Sequence, residues 1–283
     1  MADVEVHPGS IEEPESLRQA MADATHVIHC AGATRAVRAQ DFYRINQGGT
    51  RNVVDAVNAQ GGCIKRLVQL SSLAAAGPAV PEHPALETDP PRPVSEYGKS
   101  KLAGELEVQN HCQAEQVILR PPAVYGPRDG EFLRLFRAIT NHFLPKPTAR
   151  QSLSLVFVKD LAEAVVTCLL HPAAAGKTYY VAAREVVNAR LIATEIASQM
   201  GGWTVSLPLP TAFFWPLCLA QEVMSRLTGV ANVLSLQKFA ELRAPGWVCA
   251  STRLERDTGC VCPTTLRLGI AQTLAWYQQN RWL

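Results

Sequence analysis

The chain has 283 residues, of which 47% are hydrophobic and 18% are charged, a composition typical of a globular protein and not of a disordered one. Its 27 basic and 25 acidic residues give a net charge of +2 and form no basic block, so the sequence does not indicate nucleic acid as a partner. The eight cysteines are scattered, with only Cys260 and Cys262 close together, which favours reduced thiols over a zinc site or a disulfide framework.

The first half of the chain alternates between short apolar runs and helical spacing. In chain order we predict a strand at residues 4–6, a helix at 14–24, a strand at 25–29, a helix at 42–59, a strand at 66–70, a helix at 96–114 and a strand at 117–119. A proline-rich loop at residues 77–93 precedes the third of these helices. Because strands and helices alternate, we expect a parallel sheet covered by helices on both faces.

This rhythm loosens in the second half of the chain. There we predict a helix at 132–139, a strand at 153–158, a helix capped by Asp160, a strand at 179–181, a helix capped by Asn188 and a last helix at 268–279. We therefore expect an α/β fold with two parts. Residues 1–150 form a doubly wound parallel sheet, and residues 151–283 form mainly a smaller substrate-binding lobe, with some segments returning to the sheet.

The most apolar stretch of the sequence lies at residues 207–220. It is too short to cross a bilayer, and it contains Pro208, Pro210 and Pro216. Two interpretations stay open, namely a helix that lies on a membrane surface and the lining of an apolar substrate pocket. Since the N-terminus also lacks the regions of a signal peptide, we expect no transmembrane span and a cytoplasmic location.

Two residues four positions apart suggest acid–base chemistry. Tyr97 and Lys101 lie on one face of the helix predicted at 96–114. A lysine ammonium beside a phenol stabilises the phenolate and lowers the tyrosine pKa from about 10 toward neutrality. A tyrosine tuned in this way donates a proton to a carbonyl oxygen or accepts one from an alcohol. Taken alone, the spacing is also found by chance on exposed helices.

Ser72 adds a third group to this pair. It follows the strand predicted at 66–70, at the edge where open parallel sheets bind their ligands. Its hydroxyl group would hydrogen-bond the reacting oxygen there while Tyr97 handles the proton. The alternative is a serine that only caps the turn at the end of the strand.

Three segments in succession carry a family resemblance: LSSLAAAG at residues 70–77, YGKSK at 97–101 and LRPPAVYGP at 119–127. With them, the chain resembles the extended short-chain dehydrogenases/reductases, a group that includes NAD-dependent epimerases/dehydratases, 3β-hydroxysteroid dehydrogenases and dihydroflavonol reductases. Further segments extend the resemblance over nearly the whole chain, at residues 27–33, 42–46, 49–53, 157–162 and 276–283. The resemblance implies a Rossmann-like fold and a bound NAD or NADP.

The resemblance also implies roles for individual residues. Tyr97 would be the general acid/base, Lys101 would tune it and hold the nicotinamide ribose, and Ser72 would position the substrate oxygen. The cofactor would contact these three segments and their flanks, at Ala31, Gly32, Ala33, Asn46, Ser71, Tyr97, Lys101, Pro121, Ala123 and Val124. For Asn46, two roles stay open, either support of the active site or helix packing and capping.

The sequence departs from the family pattern near its beginning. Such proteins start with a strand, the loop G-x-x-G-x-x-G and a helix, which together bind the pyrophosphate of the cofactor. No such loop occurs here, and residues 4–10 instead resemble the third strand of the family's sheet and the turn after it. We therefore expect the first βαβα segment to be missing, through a misassigned start, a fragment, or a chain that is naturally short.

Three functions are compatible with these observations. The first is an NAD(P)-dependent oxidoreductase that interconverts an alcohol and a ketone on a hydrophobic small molecule, since residues 207–215 are apolar. The second is a nucleotide-sugar epimerase or dehydratase, whose diphosphate would be bound by arginines such as Arg128, Arg134, Arg137 and Arg150. The third is a non-catalytic binding protein derived from the family, which the missing glycine loop favours. Homodimers are common in the resembling family, so a homodimer is a further expectation.

Overall fold

The computed structural model describes residues 4–147, 151–201, 205–209, 212, 214–230 and 236–283. Its strands are β1 (His26–His29), β2 (Arg66–Leu70), β3 (Glu115–Arg120), β4 (Ala123–Tyr125), β5 (Phe143–Pro147), β6 (Ser152–Phe157), β7 (Lys177–Tyr180), β8 (Val186–Asn188), β9 (Val205–Leu209) and β10 (Gly246–Trp247). Its α-helices are α1 (Pro14–Ala20), α2 (Ala39–Tyr43), α3 (Thr50–Ala59), α4 (Leu73–Ala76), α5 (Glu96–His111), α6 (Gly130–Thr140), α7 (Val158–Leu170), α8 (Ala189–Gln199), α9 (Phe214–Thr228), α10 (Leu236–Arg243), α11 (Thr252–Thr258) and α12 (Leu266–Gln279).

The main sheet has four strands in the order β1-β2-β3-β7, and every neighbouring pair is parallel. The predicted parallel sheet is thus confirmed. Parallel strands end at the same edge, so the segments that follow β1, β2 and β3 lie side by side at the carboxyl edge of the sheet.

Helices cover this sheet on both faces, as predicted. On β2, Leu67 packs with α3 and α5 on one face, while the next residue, Val68, packs with α7 on the other. Successive side chains of a strand point to opposite faces, so a strand that is apolar at both positions is buried on both sides. This explains why β2 is buried from Arg66 to Gln69 and β3 from Val117 to Arg120.

A second core forms in the other half of the chain. Strands β10, β6 and β4 are parallel to one another, and β8 pairs antiparallel with β6. Phe136 of α6, Ile196 of α8 and Tyr277 of α12 are fully buried in the same apolar cluster. Asn188 caps α8, as the sequence predicts, because its side chain accepts a hydrogen bond from the Leu191 amide at 2.9 Å.

Two local expectations were wrong. Residues 4–6 form no strand, since no described strand lies beside them to share hydrogen bonds, and Val4 and Val6 are exposed. Asp160 does not cap α7, which begins two residues earlier. Its carboxylate instead accepts hydrogen bonds from the amide and the hydroxyl group of Thr264, at 3.0 and 2.7 Å, and so ties α7 to the segment before α12.

The helix predicted at 42–59 is interrupted. A π-helical segment, Arg44–Gly49, separates α2 from α3. Such a segment holds one residue more than regular helical spacing provides, and apolar periodicity does not reveal it.

No helix among the described residues is long and apolar enough to cross a membrane. Much of the apolar stretch at 207–220 lies outside the described residues or outside the described side chains. The predicted pocket lining at 207–215 therefore stays a prediction.

Candidate active site

Three sequence-predicted residues meet at the carboxyl edge of the main sheet. Ser72 follows β2 and caps α4, where its hydroxyl group accepts a hydrogen bond from the Ala74 amide at 3.1 Å. Tyr97 and Lys101 lie in the first two turns of α5, whose cap, Ser95, accepts from the Gly98 amide at 3.1 Å. The sequence therefore places an N-cap before each of the two helices that carry the site.

The Ser72 hydroxyl group lies near the Tyr97 phenol and lowers its pKa by favouring the phenolate. Ser72 thus caps α4, as one of the two interpretations of the sequence expected, and the position of its hydroxyl group near the phenol is compatible with the other. The close packing of the two helices brings this pair together. A side chain at Gly98 would place its Cβ atom 2.3 Å from the Ala74 carbonyl oxygen, so only glycine permits this approach.

The predicted lowering of the Tyr97 pKa was wrong in direction. Burial raises the pKa of Tyr97, the hydrogen bond from Ser72 lowers it, and the carboxylates of Glu241 and Glu131 raise it further. Lys101 does not stabilise the phenolate here, because its ammonium group donates a hydrogen bond to the Leu70 carbonyl oxygen at 2.7 Å. Tyr97 is therefore protonated at neutral pH and arranged as a proton donor.

Lys101 lies deep in the site, with 7% of its surface exposed. Burial lowers its pKa to about 8, while Glu105 and Cys30 raise it. It lies between the end of β2 and the loop after β1, because a Cβ atom at Gly32 would lie 3.5 Å from its Nζ atom. This is the position from which an ammonium group reaches a ligand bound over the loop.

The loop Ala31–Ala33 is held by Asn46. The Asn46 Oδ1 atom accepts from the Ala33 amide at 2.8 Å, and its Nδ2 group donates to the Ala33 carbonyl at 3.0 Å and to Ser100 Oγ at 2.9 Å. Asn46 lies within the π-helical segment, a feature often found at functional sites. These contacts favour support of the site over helix capping, the two roles that the sequence left open.

The segment after β3 completes the edge. Pro121 is buried, and its carbonyl accepts from the Leu73 amide at 2.8 Å, which joins this segment to α4. Ala123 is exposed and Val124 half-buried at the start of β4. A flat ring system bound at this edge would lie against small and aliphatic side chains.

Sequence reasoning missed the buried ion pair behind the site. Arg120 ends β3 and binds Glu105 of α5 through two nitrogens, with Nη2 to Oε2 at 2.6 Å and Nε to Oε1 at 2.9 Å. Ser71 donates its hydroxyl proton to the same carboxylate. The available signal was a glutamate four residues after Lys101, on the same helix face.

The residues of this edge fit the nicotinamide side of a dinucleotide. The loop after β1 carries only small side chains at Ala31, Gly32 and Ala33, and two of these residues are exposed, so a ligand can approach the backbone closely. Lys101 and Tyr97 lie next to this loop. Among the described residues, no helix begins with a glycine-rich loop of the kind that binds the pyrophosphate of the cofactor.

Comparisons with known proteins support these observations. The sequence profile of the NAD-dependent epimerase/dehydratase family matches residues 1–182. The chain is 29% identical to the ceramide reductase of Caulobacter vibrioides over 284 aligned positions, which cover 99% of this chain and 83% of that protein. It is 26% identical to the N-acetyl-alpha-D-glucosaminyl-diphospho-ditrans,octacis-undecaprenol 4-epimerase of Escherichia coli O157:H7, over 95% of this chain and 82% of that one.

Solved structures show the same architecture. The crystal structure of gox2253 matches with a TM-score of 0.78 at 21% identity and covers 98% of this chain and 85% of that chain. The Bordetella bronchiseptica enzyme WbmG, solved with NAD and UDP, matches with a TM-score of 0.76 at 21% identity, over 99% of this chain and 82% of that one. The predicted Rossmann-like α/β fold is confirmed.

Proposed function

The chain belongs to the NAD-dependent epimerase/dehydratase family, a family of enzymes, and on this premise we propose that it is an NAD(P)-dependent oxidoreductase. The reaction is the interconversion of an alcohol and a ketone on a hydrophobic small molecule. The observation that carries the proposal is the placement of Ser72, Tyr97 and Lys101 together at the carboxyl edge of a parallel sheet.

Each side chain has one task in this proposal. The nicotinamide, when bound, supplies or accepts a hydride at the substrate carbon. Tyr97, protonated at neutral pH, donates its proton to the ketone oxygen, and Ser72 holds that oxygen by a hydrogen bond. Lys101 contacts the nicotinamide ribose through its ammonium group. Ala31, Gly32 and Ala33 let the cofactor approach the backbone, with Pro121, Ala123 and Val124 beside its ring.

Two observations support a hydrophobic substrate. The relative that aligns with 99% of the chain is named for the reduction of ceramide, a lipid. Other relatives are a sterol-4-alpha-carboxylate 3-dehydrogenase of Saccharomyces cerevisiae and a farnesyl-dihydroquinoline-oxide ketoreductase of Stigmatella aurantiaca, each over part of the chain. In this chain, the Phe42 ring centroid lies 6.0 Å from that of Tyr97, so one wall beside the phenol is aromatic.

Helix α9 exposes an apolar stripe that fits contact with lipid. Its outward stripe at four-residue spacing is apolar and exposed, with Trp215, Leu219, Val223 and Leu227 between 37% and 78% exposed. Its inward face includes Cys218 and Ser225, which are buried. We therefore propose that α9 lies on the membrane surface, from which an apolar substrate would enter.

Sedimentation with vesicles tests this contact. The protein should sediment together with vesicles of phosphatidylcholine and phosphatidylglycerol. The variant Leu219→Glu with Val223→Glu should stay in the supernatant. A matched control, Leu106→Glu with Val166→Glu, changes two other exposed apolar residues and should sediment like the wild type. If both double variants sediment equally well, α9 does not bind the membrane.

The nucleotide-sugar alternative has support from the epimerases among the relatives. It requires basic side chains for a diphosphate. Arg128, Arg134 and Arg137 are exposed, and Arg137 donates to the Trp282 carbonyl at 2.9 Å. Arg150 lies outside the described residues. None of the contacts described for these arginines directs them toward Tyr97, and two carboxylates, Glu131 and Glu241, act on this phenol instead.

Cofactor oxidation separates the three functions. Purified protein is mixed either with NADH or NADPH and a long-chain keto lipid in detergent, or with NAD⁺ or NADP⁺ and a UDP-sugar. Oxidation of the nicotinamide with the keto lipid supports the oxidoreductase. Conversion of the UDP-sugar, without net oxidation, supports the epimerase. A folded chain that binds neither NADH nor NADPH supports a non-catalytic binding protein.

A further inference from the structure

A cluster of buried polar groups lies behind Lys101, where β2 and β3 end. Glu105 is fully buried, and its carboxylate accepts hydrogen bonds from Ser71 and from two nitrogens of Arg120. Arg120 in turn lies 3.5 Å from the Tyr180 hydroxyl group, measured from Nη1. A buried ion pair contributes little to stability after its charges have lost their water, so stability is a weak reason for this arrangement.

Two observations place the carboxylate near Lys101. Lys101 and Glu105 are four residues apart on α5, so their side chains are neighbours on one helix face. The Lys101 ammonium group also donates to the Leu70 carbonyl. Leu70 is the residue directly before Ser71, whose hydroxyl group binds Glu105. One carboxylate thus connects the helix that carries Lys101 with the strand end that accepts the hydrogen bond of Lys101.

We infer that Glu105 is a positioning residue, which holds Lys101 and the end of β2 in the arrangement that proton transfer at Tyr97 requires. The inference rests on the proposed oxidoreductase function, because Lys101 has its task in that reaction. Arg120 keeps the carboxylate oriented through its two hydrogen bonds.

Glu105 also acts on Lys101 through its negative charge. The groups that face Lys101 are His29 and Cys30 at the end of β1, and Glu105 on its own helix. Burial lowers the pKa of His29 to about 4 and raises the pKa of the Cys30 thiol, so both are neutral at pH 7. The Glu105 carboxylate is the neighbour that favours the charged form of the buried ammonium.

Titration of Lys101 tests the inference without any need for activity. Lysine labelled with ¹³C at Cε is followed by NMR against pH, and the Lys101 signal is assigned from its loss in Lys101→Arg. In Glu105→Gln, the Lys101 pKa should fall below its wild-type value near 8 by about one unit, since an opposite charge close by shifts a pKa by roughly 1–3 units. The alkaline limb of the reduction rate should move to lower pH by the same amount.

Two further variants separate positioning from folding. Arg66 and Glu115 form an ion pair at the other ends of β2 and β3. Glu115→Gln breaks this pair and should leave the Lys101 titration unchanged. If Glu105→Gln does not fold, Glu105→Met with Arg120→Met removes both partners of the ion pair, so that Arg120 is not left unpaired, and a fall in the Lys101 pKa is again expected.

A Lys101 pKa that stays near 8 in the folded Glu105 variants overturns the inference. If no ketone is reduced by the wild type, the proposed function fails, yet the titration still decides whether Glu105 acts on Lys101. If the wild type reduces a ketone and the Glu105 variants keep its rate and its pH profile, only the inference fails.

Discussion

Asn46 binds the backbone of Ala33 on both sides of the residue, since its amide accepts from the Ala33 N–H at 2.8 Å and donates to the Ala33 carbonyl at 3.0 Å. The loop that the cofactor would cover is therefore held by a single side chain from the π-helical segment. The same amide reaches Ser100 on α5, which links the loop to the helix that carries Tyr97 and Lys101.

Asn46→Ala should weaken cofactor binding. It leaves the N–H and carbonyl of Ala33 without their partner, and the loss of a buried hydrogen-bonding partner costs about 1–3 kcal/mol. We expect the Kd for NADH, measured by fluorescence titration, to rise roughly 5- to 100-fold. Asn58, near the end of α3, also makes two hydrogen bonds to backbone groups, those of His111 and Gln113. Asn58→Ala is therefore the matched control. Equal affinities in the two variants would contradict the role of Asn46.

Tyr97→Phe should abolish most of the activity while binding persists. The substitution removes the proton donor and keeps the ring, so kcat should fall roughly 10²- to 10⁴-fold with little change in the Kd for NADH. Tyr43 lies nearby on the surface and donates its hydroxyl proton to Glu96 at 2.9 Å. Tyr43→Phe should keep its activity, and a loss as large as that of Tyr97→Phe would show that the effect is not specific to Tyr97.

Gly98→Ala should disturb the contact between α4 and α5. The added methyl group would lie 2.3 Å from the Ala74 carbonyl oxygen, a backbone atom that can move only with its helix. We expect a loss of about 1–3 kcal/mol in the free energy of unfolding and at least a 10-fold fall in kcat, as Tyr97 moves away from Ser72. Gly130→Ala has open space around its Cβ position and should change neither quantity. Unaltered kcat in Gly98→Ala would mean that the helix contact does not set the site geometry.

His29 should make the protein less stable in acid. Burial, followed by the charge of Lys101, lowers the pKa of His29 from 6.5 to about 4 in the folded chain. Between these values the unfolded chain binds a proton that the folded chain does not, so stability falls as the pH drops from 6.5 to 4. The full difference is about 3 kcal/mol.

Urea unfolding of wild type and His29→Gln at pH 7 and pH 4 measures this effect. The glutamine variant should lose less stability in acid than the wild type, because it has no imidazole to protonate. His111→Gln, at an exposed histidine, should follow the wild type. If all three proteins lose the same stability, His29 is not the cause.

Local order along the chain could be predicted because it follows from periodicity and caps. The run Arg66–Leu70 was predicted with the boundaries of β2, since a short run with apolar residues at Leu67, Val68 and Leu70 before the turn at Ser71 has few alternatives. The spacing of Tyr97 and Lys101 placed both residues on one helix face, and the segments around them were sufficient to indicate the family. By contrast, residues 4–6 form no strand because a strand also requires a neighbour, which no local pattern can supply.

The sequence by itself determined the alternation of strands and helices, the parallel sheet and the three residues at its carboxyl edge. Only the tertiary structure decided the pKa values and the hydrogen-bond partners of these residues. Tyr97 has a raised pKa because burial outweighs its hydrogen bond with Ser72, and Lys101 points to the Leu70 carbonyl because the end of β2 lies beside α5. Solvation and contacts between distant segments set both properties, and Glu105 and Arg120, 15 residues apart, form an ion pair only once β3 lies against that helix.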